Sequence, residues 1–171
     1  MKKTAWIMIL VALIIVIPIA WYLASPLFLD TVVNEDLPNL QNNNNANVNQ
    51  DITNNEEIPE EQAENTILYE GSFMNADSFH KVEGQAKIIE SEGTKYIRFE
   101  NFQSTNGPDL KVYLATDTSA NTYVSLGDLK GNIGNQNYEI PEDANLNTYD
   151  NVLIWCEQFS VLFGHAELEQ S

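Results

Sequence analysis

One cysteine, Cys156, stands in a chain of 171 residues. That scarcity excludes an internal disulfide, so any folded part must rest on its own apolar core. Basic residues are scarce too: 8 Lys and Arg against 25 Asp and Glu give a formal charge of -17. This balance argues against a nucleic-acid partner, because phosphate backbones are bound through Lys and Arg. Anionic lipid head groups are repelled for the same reason, whereas cations and basic partners are attracted. No Asn-x-Ser/Thr sequon occurs, so standard N-glycosylation is not indicated. Phosphate loops, nucleophile elbows, paired zinc motifs and carboxylate pairs of diagnostic spacing are missing as well, which disfavours an ordinary hydrolase or transferase.

Charge is absent from residues 5–29, directly after Lys2 and Lys3. As a helix this run would span about 37 Å, enough to cross a hydrocarbon layer of ~30 Å. Pro18 is tolerable within such a span, and Trp6, Trp21 and Tyr22 lie toward its ends, where aromatic belts form. A cleaved signal peptide is the rival reading, but its apolar core is shorter and ends in a small-x-small site. Here Ala24-Ser25 runs into Pro26. The expectation is therefore a single-pass anchor in the cell membrane over 5–29. Lysines before the span and acids after it put the N-terminus in the cytoplasm and the rest of the chain outside.

Residues 30–65 contain eleven Asn, nine Asp or Glu and no Lys or Arg. Without apolar periodicity this stretch cannot offset its chain entropy, and it is expected to be a disordered spacer. Its root-mean-square reach as a coil would be about 35 Å.

From residue 66 to 171 the chain turns to aromatic and β-branched residues in short alternating runs. Ile97 and Phe99 share one face of 95–102, with Tyr96, Arg98 and Glu100 on the other. Leu110, Val112 and Leu114 alternate similarly, and Ser91–Thr94 and Ser104–Pro108 carry turn residues. The pattern predicts an all-β domain: an antiparallel sandwich or barrel of about eight strands. Gly127–Asn137, with three glycines, reads as a long loop or irregular turn. Val152, Ile154 and Cys156 share one face of the next run, and Leu153 and Trp155 the opposite one. A tight hairpin through Glu157-Gln158 would set Cys156 opposite Phe159 and Ile154 opposite Val161, although a longer loop would shift this register. A strand apolar on both faces is central and covered twice, or one face receives a ligand or partner.

On residue chemistry alone Cys156 has several readings: a small core hydrophobe, an intermolecular cross-link making a Cys156-linked homodimer, or a reactive or ligating thiol. Trp155 and Glu157 beside it supply no positive charge to support a thiolate.

The order of several motifs resembles the DM-thirteen domain, an extracellular family described as an electron-transfer domain. The matching pieces are Gly71-Ser-Phe, Phe79-His80 with Gly84, Asn101-Phe102, Gly107-Pro-Asp-Leu110 with Val112-Tyr-Leu114, and Leu126-Gly127 with Leu129-Lys-Gly131. Gly134 with Tyr138 and Ile140-Pro141, then Val152–Cys156 through Phe163-Gly164, Ala166 and Leu168, complete the match. The resemblance implies that Cys156 is redox-active, or binds a prosthetic group such as haem or a metal. His80 occupies a recurrent family position and is the candidate second ligand. A separate redox protein is implied as partner, since no companion domain is present. The leading expectation is an accessory redox domain, not a stand-alone enzyme. The alternative is a non-catalytic cell-surface binding module in which Cys156 is structural.

Overall fold

The computed structural model describes residues 6, 13–18, 21, 29–38 and 65–171. Ten strands follow in chain order: β1 (Thr66–Ser72), β2 (Met74–Asn75), β3 (Val82–Ser91), β4 (Thr94–Ser104), β5 (Leu110–Ala115), β6 (Tyr123–Asp128), β7 (Ile133–Glu139), β8 (Asn151–Cys156), β9 (Val161–Glu167) and β10 (Glu169–Gln170). They form two antiparallel five-stranded sheets, ordered β10-β1-β3-β4-β7 and β2-β9-β8-β5-β6. The fold is all-β, as the alternation predicts. It is a sandwich of two separate sheets and not a closed barrel.

The inner faces are those the period of two selects. Ala86, Ile88, Ile97, Phe99 and Tyr138 of the first sheet meet Val112, Leu114, Val152, Ile154, Cys156, Phe163 and Ala166 of the second. Phe99 and Phe102 both face the core although three residues apart. A bulge between them, with Asn101 at φ 50°, restores the facing. Phe73 meets these two rings edge-on at 5.0 and 5.2 Å between centroids, a favourable aromatic geometry. Glu92 and Gly93, both at positive φ, close the two-residue β3–β4 hairpin.

Strand β8 is central, and its outer face is covered without a partner: Leu153 is buried with Tyr113 and Ala115, flanked by Trp155 and Leu162. The expected β8–β9 register is corrected. Cys156 pairs with Val161, Trp155 with Leu162, and Ile154 with Gly164, with a bulge at Phe163. A four-residue loop, 157–160, replaces the two-residue turn, with Ser160 at φ 53°. Gly127–Asn137 is also corrected: it comprises the end of β6, a short loop and most of β7.

Residues 30–38, which composition assigns to the disordered spacer, instead lie along β7, together with Leu29 from the end of the uncharged run. Val32 bridges Ile133 in parallel, and the Ile133 amide donates to Thr31 O while Val33 and Glu35 donate to the carbonyls of Ile133 and Asn135. This strap adds a sixth row to the first sheet and covers its open edge. It also explains why Arg98, on the outward face of β4, is only 6% exposed. The Arg98 guanidinium donates to the carbonyls of Glu35 and Asp36 and to Asn137 Oδ1.

Within the expected anchor, Trp6, residues 13–18 and Trp21 have helical backbone. Among the described residues no helix is long and apolar enough to cross a membrane. Residues 5, 7–12, 19–20 and 22–28 of that run, and residues 39–64 of the expected spacer, lie outside the described residues.

Candidate functional site

Cys156 closes β8, and the ladder sets it across from Leu110 on one side and Val161 on the other. Its neighbours inward along β8, Ile154 and Val152, are fully buried, and Cys156 itself is 0% exposed. The thiol is thus part of the main core, one residue from the exposed loop 157–160. The Glu157 amide donates to Asp109 O at 2.9 Å, fastening the start of that loop to the residue before Leu110.

Beside this strand end is a cleft of ≈ 410 Å³ walled by Gly107–Leu110, Asp128–Asn132, Leu29 and Thr31. Leu110 lines the cleft on one side and partners Cys156 in the ladder on the other. Gly107 packs closely here: a Cβ would fall 2.7 Å from Leu110 Cδ2 and 2.9 Å from Phe163 Cζ, so those side chains would have to shift to admit one. The Gly-Pro-Asp-Leu motif thereby ends at the cross-strand partner of Cys156, in the same core cluster.

Lys111, one residue along β5, faces outward. Its ammonium meets Asp128, Asp109 and Glu157 at 2.5, 2.9 and 3.6 Å. Its hydrogen bonds donated to Asp128 first, then Asp109, push its pKa above the ordinary lysine value. This cation is therefore already engaged by three carboxylates.

His80 lies at the same end of the sandwich, in the loop between β2 and β3. Asp77 organises that loop: Oδ1 accepts from the amides of Phe79 and His80, and Oδ2 meets His80 Nδ1 at 2.8 Å. The His80 amide, then its ring, then the Phe79 amide hold the Asp77 carboxyl down at about 2. The imidazole rests on the Phe163 ring, 4.1 Å between centroids, and Phe163 in turn reaches Gly107 beside Leu110. The structure brings His80 and Cys156 to one end of the fold, with the Phe163 ring and the Leu110 region intervening.

His165 pairs with Leu153, so it stands on the outer face while Cys156 points inward. Among the described residues no group of three or more His, Cys, Asp and Glu side chains could hold a metal. Haem does not fit the arrangement either. A haem-ligating sulfur needs an open apolar slot, whereas Cys156 is enclosed and the neighbouring cleft is walled by Asn106, Asp109, Asp128, Lys130 and Asn132. No step is therefore derived through haem.

Sequence reasoning missed the Lys111 cluster and the strap contacts. Lys130 Nζ reaches both Glu35 carboxylate oxygens at 2.8 and 3.0 Å, and Asn132 Nδ2 donates to Asp30 Oδ1. The pair Val32-Val33, β-branched residues inside a polar stretch, was the local signal available for a strand there.

The family model described as Electron transfer DM13 matches residues 72–168, which include His80, Leu110, Phe163 and Cys156. No curated protein and no solved structure matches the chain.

Proposed function

The chain belongs to the electron-transfer DM13 family, and from that premise we propose that it is an outward-facing accessory redox domain, held at the cell membrane by residues 5–29, whose electron-carrying group is Cys156. The observation that carries this reading is the placement of the chain's one thiol at the end of β8, behind Leu110 and beside the cleft. A solitary thiol has one balanced cycle open to it with a separate disulfide-bearing redox protein. The Cys156 proton leaves to solvent and its thiolate attacks one partner sulfur. A mixed disulfide forms as the partner's second sulfur departs as thiolate, and that thiolate then resolves the bond. That closed cycle transfers no electrons, and net transfer needs external thiols. The first attacks the partner sulfur of the mixed disulfide and frees the Cys156 thiolate; the second displaces the first as its disulfide. Two external thiols are thereby oxidised to one disulfide, and the partner disulfide is reduced to its dithiol.

Reaction requires Leu110 and loop 157–160 to move aside, since the enclosed sulfur cannot meet a partner sulfur in line. Openings of loops and strand ends can cost less than global unfolding, while those of core strands approach it. Cross-linking of two copies through Cys156 would need the same opening. The second reading, a surface binding module with Cys156 as a packing residue, is favoured by the complete burial of that side chain. A titration of the full chain in glutathione redox buffers separates the two. A reversible adduct with a defined midpoint, absent in Cys156→Ala, supports the redox domain; a native chain that never forms the adduct supports the binding module.

A further inference from the structure

We propose that the end of the sandwich carrying Cys156 rests on the lipid bilayer, through Phe79, Phe159 and Leu29; this rests on the membrane-anchor reading above. The strap is the first observation. It begins at Leu29, the last residue of the uncharged run 5–29, and pairs in parallel with β7. Leu29 O accepts from Asn106 Nδ2, and Asp30 Oδ1 accepts from Asn106 and Asn132. The chain therefore meets the folded domain as soon as the apolar run stops, with no free spacer before the contact. The contact lies at the start of β7, where the loops 105–109 and 129–132 also lie.

Exposed apolar side chains are the second, independent observation. Among the described residues from 29 to 171 the most exposed large hydrophobics are Phe79 at 83%, Phe159 at 64%, and Leu29 and Val32 at 59%. Strand pairing sets three of them at one end. Phe159 is in the loop joining Cys156 to Val161, and Phe79 is in the loop that leaves β2 beside Phe163 and enters β3 across from Ser104. Two exposed phenylalanines on loops at the same end of the sandwich as the junction with an apolar run suit insertion into the interface of a bilayer. Asp109, Asp128 and Glu157 around Lys111 leave this end net negative, so the surface it fits is zwitterionic and not anionic. In this orientation the cleft and the cover of Cys156 face the lipid, and the redox partner is a membrane-embedded protein.

The test uses the full chain in phosphatidylcholine nanodiscs, with a benzophenone amino acid in place of Phe79, Phe159 or Glu92. Glu92 serves as control because it caps the β3–β4 hairpin at the opposite end. After irradiation, lipid adducts at positions 79 and 159 are expected to exceed those at 92 by about fivefold or more. Equal yields at all three positions, with the chain retained in the discs, overturn the docked orientation while leaving the anchor intact. A chain that does not enter the discs overturns the anchor and the orientation together.

Discussion

Leu110 is the cross-strand partner of Cys156 and at the same time a wall of the adjoining cleft. One residue thus belongs both to the cover of the thiol and to the surface a partner could reach.

Shortening that residue should therefore unmask the thiol. Leu110→Ala is expected to cost about 2–5 kcal/mol of stability, as buried leucine truncations do. Phe99→Ala, deep in the aromatic cluster, should cost about 3–5 kcal/mol. Stopped-flow labelling should show Cys156 reacting about tenfold faster in Leu110→Ala than in Phe99→Ala once their stabilities are matched with a stabilising osmolyte. Equal rates would mean that Leu110 is no local cover.

The strap should release when its holding side chain is removed. Arg98→Ala deletes the donor to Glu35 O, Asp36 O and Asn137 Oδ1. Charge-assisted bonds of this kind make a loss of about 2–3 kcal/mol reasonable. Hydrogen exchange should accelerate at the Val33 and Glu35 amides, which donate to β7, and remain slow in β8.

Gly134→Ala should disturb the same contact by a different route. Gly134 has φ 109°, and a Cβ there would collide with Val33 O and approach Asn34 Oδ1 at 2.7 Å. Backbone strain together with this clash should destabilise by about 1–3 kcal/mol, read by chemical denaturation.

Asp77 supplies the acid-side prediction. Its folded pKa lies at about 2, below the ordinary 3.8. A depressed carboxylate contributes order that is fully present above the unfolded value and is lost as pH falls through the folded one. The loop holding Phe79 and His80 should therefore loosen between roughly pH 4 and pH 2. Carboxyl carbon NMR should give a titration midpoint for Asp77 near the lower end of that window, and Asp77→Asn should abolish the transition.

Much of this fold was readable because local alternation decides it. Ile97 with Phe99, the Leu110–Leu114 triplet and Val152–Cys156 all face the core their period of two selects. The β8–β9 register was not readable, because it depends on a four-residue loop and a bulge at Phe163 that alternation cannot encode. Gly127–Asn137 has poor strand formers, yet β7 forms between β4 and the strap, where long-range pairing overrides propensity. The strap was concealed for a related reason. Its contacts are a backbone ladder, a carboxylate bond to Lys130 and main-chain carbonyls that accept from Arg98, none of which the composition of a polar stretch reveals. Cys156 stood out in the sequence as the sole thiol, whereas its pairing with Leu110 and the placing of His80 on Phe163 are non-local.

The most direct measurement compares two rates on one sample of full chain: the reaction of native Cys156 with a small neutral disulfide, and global unfolding. A thiol gated by Leu110 and loop 157–160 should react at least about tenfold faster than the chain unfolds, because its opening is local. A reaction that keeps pace with unfolding would mean that Cys156 is exposed only when the sandwich comes apart, and would contradict its role as the redox group.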